Sequence, residues 1–282
     1  MNNYLDLMQN IMDHGTSKDD RTGIGSKFIN GAMLKWDLSG GFPILTTRKV
    51  PLRIAFEETM FFLRGETDTT LLEAKNINIW KGNTTREFLD RRQLNDLPVG
   101  SIGTGYSHAW RNFGGTLGQQ DGVDQVAELL HGLKTDPNGR RHIVTAWNPT
   151  QNSGTPLPPC HIMHMYSVMD YKLNSSFVMR SNDIYHGLGF NIMGYALLNH
   201  LFAKYLNLEP GELTYFGWDV HIYNHQMDVC KQQLARVPNA LPQLKINKEF
   251  HSLQDILDTQ WSDIELVGYD PHPALEKVEM AV

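Results

Sequence analysis

Residues 161–179, HIMHMYSVMDYKLNSSFVM, and residues 192–206, IMGYALLNHLFAKYL, decide how this chain folds. The first stretch holds two β-rich runs, 161–168 and 173–179, on either side of Asp170-Tyr171, and predicts a hairpin. The second is apolar nearly all round, so it predicts a helix buried on every side. A hairpin next to such a helix implies a sheet with helices packed on it.

Outward from this centre, Tyr4, Leu5, Met8, Ile11 and Met12 recur at helical spacing before Gly15, which predicts a helix over 3–14. Pro51 opens a second helix that carries Leu52, Ala55, Phe56, Phe62 and Leu63 and stops at Gly65, and 125–133 forms a third. Strands are expected at 34–38, around Ile143, Val144, Ala146 and Trp147, and at 213–216, with another helix over 222–234. The elements follow no βαβ period, so the fold class is α+β, in one domain over 1–282. The stretch 84–122, rich in Gly and charge, reads as the most loop-like part and the place for surface insertions.

The 282 residues carry 25 Lys+Arg against 31 Asp+Glu, a formal charge of −6, and 41% are apolar. That excludes a disordered, collagen-like or coiled-coil chain. It also argues against nucleic acid as a partner, because such binding rests on phosphate neutralisation, and any anionic ligand must meet a local cluster of cations. The two cysteines, Cys160 and Cys230, form no disulfide framework and lack zinc spacing, which suits a reducing, cytoplasmic location. No secretory signal opens the chain and no run reaches 18 apolar residues, so no membrane partner is expected.

Four groups of residues are candidates for chemistry. Gly23-Ile24-Gly25 and the glycines of 100–105 do not bridge a strand and a helix, so they read as turns. His221 with His225, and His161 with His164, have no third ligand at the right spacing, so no metal is expected. Cys160 follows Pro158-Pro159 and precedes His161; it is either a small buried residue or a nucleophile presented on a stiff approach. Cys230, on an amphipathic stretch, reads as packing. Arg21, Arg140, Arg141 and Arg180 are either surface cations or a phosphate grip, since guanidinium matches phosphate with paired donors.

Taken together, the blocks Asp20-Arg21-Thr22-Gly23, Phe42-Pro43-Ile44-Leu45-Thr46-Thr47-Arg48-Lys49, Ile79-Trp80, Arg140-Arg141, Pro159-Cys160-His161, Arg180-Ser181-Asn182-Asp183, Asp219-Val220-His221-Ile222-Tyr223 and Gly268-Tyr269-Asp270-Pro271-His272-Pro273 resemble the thymidylate synthase family over essentially the whole chain. The resemblance implies a large twisted mixed sheet packed with helices, and a homodimer paired through that sheet. It implies transfer of a one-carbon unit from 5,10-methylenetetrahydrofolate to C5 of dUMP, with Cys160 adding to C6 of the pyrimidine. By the same resemblance Arg21, Arg180 and Ser181 hold the nucleotide phosphate, with Arg140 and Arg141 reaching in from the other subunit. Asn191 reads the base, His221 and Tyr223 hold the sugar hydroxyl, and Glu58, His161 and Tyr106 move protons. Asp183 contacts the pterin, and Ile79, Trp80, Leu157, Gly187, Phe190 and Val282 line the folate site.

Three blocks depart from the family spelling: Met179-Arg180-Ser181-Asn182-Asp183, His186-Gly187-Leu188-Gly189-Phe190-Asn191 and Gly103-Thr104-Gly105-Tyr106-Ser107. His186 replaces an apolar folate wall. An imidazole there suggests an ordered water that adds hydroxide to the exocyclic methylene left on the nucleotide, so the sequence leans toward 5-hydroxymethyl-dUMP, the chemistry phages use for modified DNA. The alternative is hydride delivery from the folate, giving dTMP and dihydrofolate. A non-catalytic nucleotide- or RNA-binding relative is the remote third reading.

Overall fold

The computed structural model describes residues 1–20 and 22–280. In chain order the main helices are α1 (Asn2–His14), α2 (Leu52–Leu63), α3 (Thr70–Glu73), α4 (Arg86–Arg91), α5 (Ser107–Arg111), α6 (Gln125–Thr135), α7 (Gly189–Leu206), α8 (Met227–Leu234) and α9 (Leu253–Leu257). The strands are β1 (Thr16–Lys18), β2 (Ser26–Asp37), β3 (Ile143–Thr145), β4 (His161–Met169), β5 (Lys172–Asp183), β6 (Glu209–Tyr223), β7 (Gln243–Ile246) and β8 (Ile264–Val267).

Six strands form one mixed sheet in the order β1-β2-β6-β5-β4-β3, with β5 and β6 parallel and every other neighbour antiparallel. The expected hairpin is β4–β5, and it closes on Asp170 and Tyr171 at φ 53° and 59°. Positive φ at both central residues matches the right-handed twist of the two strands. Helix α7 is the buried helix expected from its composition. It lies on the inner face of the sheet, where Phe177 of β5 stacks on Tyr195 at 4.3 Å between ring centres. Its one deeply buried amide, Asn199, donates from Nδ2 to the Leu173 carbonyl and to Ser175 Oγ, so the sheet takes up its N–H donors.

Three expectations need correction. The stretch 222–234 is not one helix: β6 runs on to Tyr223 because Val220 and Ile222 continue its buried face, and α8 begins only at Met227. The strands expected at 34–38 and 213–216 lie at the end of β2, which stops at Asp37, and in the middle of β6, both much longer than expected. The stretch 84–122 is not peripheral, since it forms α4 and α5 and buries Tyr106, Ala109 and Trp110. Gly103, at φ 62°, makes this fold possible, since any Cβ there would collide with the Gly154 carbonyl.

The other face of the sheet is open. Met33, Ile143, Met169, Phe216 and Trp218 are exposed apolar side chains on its strands or at their ends. No helix of the described residues is long and apolar enough to cross a membrane.

Phe177→Ala removes a ring with no solvent exposure from between α7 and the sheet. Chemical denaturation should show a loss of about 3–5 kcal/mol, and a loss below about 1 kcal/mol would mean the sheet–helix contact is not the centre of the core.

Candidate active site

Cys160 stands immediately before β4, and four bonds fix the chain that presents it. Arg180 of β5 donates from Nε to the Pro159 carbonyl at 2.9 Å and from Nη2 to the Pro158 carbonyl at 2.7 Å, while its backbone N–H donates to the Cys160 carbonyl at 3.0 Å. The Cys160 N–H donates to Tyr106 Oη at 2.9 Å. Tyr106 itself sits at φ 35°, a conformation held by packing against Phe62, whose ring stacks on it at 5.0 Å. The partly exposed thiol opens into a cleft of about 750 Å³ lined also by Leu157, Arg180, Ser181, Asp183, His221 and Tyr223. Strand alternation explains the grouping on β6, where His221 and Tyr223 lie two residues apart on one side. His221 Nδ1 and Asp219 Oδ1 are 2.8 Å apart, and Lys18 anchors that carboxylate at 3.0 Å.

Glu58, His161, Phe190, Asn191 and Tyr195 line a second, much smaller cavity. Glu58 accepts from Trp80 Nε1 at 2.9 Å. Burial raises its carboxyl to about 7, against the smaller opposing pull of the indole N–H. Burial also lowers His161 to about 4, so its imidazole is neutral at pH 7. A neutral ring has one donor and one acceptor nitrogen. Asn191 Nδ2 lies 3.0 Å from Nε2, which therefore accepts, and Nδ1 donates to Tyr195 Oη at 3.1 Å. On its other side Asn191 Oδ1 accepts from Asn182 Nδ2 at 2.8 Å.

At the cleft's edge Asp183 accepts from the His186 N–H at 3.0 Å and from Gln226 Nε2 at 2.7 Å. Burial works to raise this carboxyl, but the bonds from His186 and Gln226 outweigh it and hold it below its ordinary value. The expectation that His186 activates a water does not fit its surroundings. Its Nδ1 accepts from Gln226 Nε2 at 2.9 Å, so Nε2 carries the proton and donates to the Val278 carbonyl at 3.1 Å. Both ring nitrogens are taken by the protein.

The remaining expected residues divide. Arg140 and Arg141 do not join the cleft of Cys160; exposed beside the start of β3, they line a separate cavity of about 570 Å³ with His142 and Ile143. Phe190 lines the small cavity, Gly187 borders Asn191 and Asn182, and Ile79 packs against the core, so none of these three lines the cleft of Cys160. Trp80 is buried among Phe62 and Tyr106 as the partner of Glu58 rather than as an open wall. Arg21 and Val282 lie outside the described residues. Cys230 is fully buried, and burial pushes its thiol up to about 12, which suits packing. His221 and His225 do not share a helix face, as one ends a strand and the other lies in the following turn. Among the described residues no three His, Cys, Asp or Glu side chains gather as a metal site.

Sequence reasoning missed several groups. Gln226, which links Asp183 and His186, and Tyr195, which bonds His161, carry no motif of their own. Phe88, Arg91 and Arg92 reach the cleft from α4 and its end, inside the stretch read as peripheral loop.

Compared with known proteins, the chain matches the thymidylate synthase family model over residues 2–282. It is 42% identical over 287 residues to the bifunctional dihydrofolate reductase-thymidylate synthase of Paramecium tetraurelia, a match covering 100% of this chain and 61% of that protein. The chain thus spans less than two thirds of the bifunctional relative. It is 40% identical over 280 residues to thymidylate synthase 1/2 of Encephalitozoon cuniculi (strain GB-M1), covering 97% of this chain and 95% of that one.

Because the folded carboxyl of Glu58 titrates near 7 and the unfolded one near 4.5, the folded chain holds a proton that the unfolded chain has released between those values. Glu58 therefore opposes folding increasingly as pH rises through that window, and by a constant amount above it. Glu58→Gln should raise the thermal midpoint more at pH 8 than at pH 5, and equal shifts at both would mean that Glu58 is not buried as a neutral acid.

Proposed function

The chain belongs to the thymidylate synthase family, enzymes of one-carbon transfer that use methylenetetrahydrofolate as cosubstrate, and from that premise we propose that it converts dUMP to dTMP by reductive methylation. The observation that supports this reading is that Cys160 and the residue after it, His161, line two different cavities. The first is a cleft with Arg180, Ser181, Asp183, His221 and Tyr223; the second is a small cavity with Glu58, His161 and Asn191.

The cleft suits a nucleotide. Arg180 spends two of its five N–H donors on the proline carbonyls and keeps the rest for an anion, beside the Ser181 hydroxyl. His221 and Tyr223 supply polar groups for the sugar. Sulfur from Cys160 adds to C6 of the pyrimidine, the ring electrons move onto O4, and C5 becomes nucleophilic. Glu58, protonated about half the time at neutral pH, is placed to give and take the proton at O4. Asp183, held ionised, is placed for an N–H of the pterin. C5 bonds to the one-carbon unit of the folate, the C5 proton leaves, the bond from that carbon to the folate nitrogen breaks, and hydride from the released tetrahydrofolate completes the methyl group as the Cys160–C6 bond breaks, giving dTMP and dihydrofolate.

Methylation is favoured over hydroxymethylation because the imidazole of His186 has no free nitrogen for a water. The names of both relatives agree. A homodimer is part of the proposal: the open apolar sheet face suits a second copy, and Arg140 at its margin shares a cavity with Phe216 and Met169 of that face. Arg140 and Arg141, absent from their own cleft, are then the cations offered to the partner's phosphate.

Incubation with dUMP and methylenetetrahydrofolate should give dTMP and dihydrofolate in equal amounts by mass spectrometry, and Cys160→Ala should lower turnover by more than about 10⁴-fold with dUMP still bound. A product of 5-hydroxymethyl-dUMP with tetrahydrofolate would overturn the methylation reading. Failure of 5-fluoro-dUMP and folate to become trapped on Cys160 would overturn the whole assignment.

A further inference from the structure

We infer that Asn182 is a specificity-determining residue: by donating to Asn191 Oδ1 it fixes which end of the Asn191 amide meets each edge group of the base, and so sets the preference for uracil over cytosine. This rests on the proposal that Asn191 reads the base. Asn182 lies on β5 between Ser181 and Asp183 and is 4% exposed.

An asparagine amide can face the pyrimidine in two ways. With Nδ2 at O4 and Oδ1 at N3–H it matches uracil; turned over, Oδ1 meets the exocyclic amine and Nδ2 the bare N3 of cytosine. Glu58 and His161 line the same small cavity as Asn191, so the side of the amide nearest His161 is the O4 side. Nδ2 occupies that side, 3.0 Å from His161 Nε2, and Oδ1 faces Asn182 at 2.8 Å. That is the uracil orientation.

Four groups thus form a one-way chain of donors, from Asn182 to Asn191 to His161 to Tyr195. The reverse direction is the only other self-consistent one, since the neutral His161 can exchange its donor and acceptor nitrogens. The two directions differ at Asn182. In the observed one its Oδ1 is buried without a partner. In the reverse its amide N–H groups would be the orphans, the less tolerable defect. An amide donor at position 182 therefore holds the chain in the uracil direction, while a group that only accepts would turn it round.

The test compares dissociation constants of dUMP and dCMP for wild type, Asn182→Asp, Asn182→Ala and Asn191→Asp, with folding checked by circular dichroism and thermal midpoint. Asn182→Asp above pH 7 should shift the dUMP/dCMP affinity ratio toward dCMP by about tenfold or more, the scale of one hydrogen bond exchanged for a mismatch. Asn182→Ala should relax the ratio by less. A purely structural role would weaken both ligands alike and leave the ratio unmoved. If both Asn182 variants keep the wild-type ratio while Asn191→Asp changes it, the inference is overturned and base reading by Asn191 stands. If Asn191→Asp leaves the ratio unmoved as well, it is the base-reading proposal that fails. Should Asn182→Asp not fold, the Asn182→Ala ratio alone decides.

Discussion

The guanidinium of Arg180 on the carbonyls of Pro158 and Pro159 is the constraint from which the site is built. Two prolines leave that segment without N–H donors and with little freedom in φ, so its carbonyls are the only handle by which the sheet can hold it. Arg180 takes that handle from β5, an inner strand of the sheet, and its backbone closes the same contact at Cys160. Because Ser181 and Asp183 follow on the same strand, the bond that places the sulfur also places the polar lining of the cleft. The core contact of Phe177 with Tyr195 secures that strand from the other side.

Burial sorts the ionisable groups by depth. Glu58 and His161, at the bottom, are both pushed toward their neutral forms, one upward and one downward. Asp183, equally enclosed, goes the other way because donors from His186 and Gln226 surround it. Two carboxyls within one site are thus shifted in opposite directions, an arrangement that separates a proton carrier from a fixed anion.

Much of the fold was legible because its centre speaks in simple patterns. The all-apolar run of α7 and the hairpin around Asp170-Tyr171 are read by composition and turn chemistry alone. What escaped did so for physical reasons. Val220 and Ile222 are compatible with helix or strand, and only pairing of β6 with both β2 and β5 settles them. The 84–122 stretch looks like loop because its order comes from Tyr106 and Trp110 docking on distant aromatics rather than from periodicity. In the site, residues belonging to motifs were found, whereas Gln226 and Tyr195, which act through hydrogen bonds to those residues, were not. His186 was noticed as a departure, but its two partners, at positions 226 and 278, were not foreseen because they are remote in sequence.

The polarised run of amides and rings from Asn182 to Tyr195 gives the family-level question of substrate drift an unexpected form. On the proposed reading such a run has two settings and no intermediate ones, so it acts like a toggle: an acceptor in place of the donor at position 182 reverses every member together. A lineage can then wander from one nucleobase toward another while the side chain touching that base stays unaltered, and an inspection confined to contact residues would overlook the change.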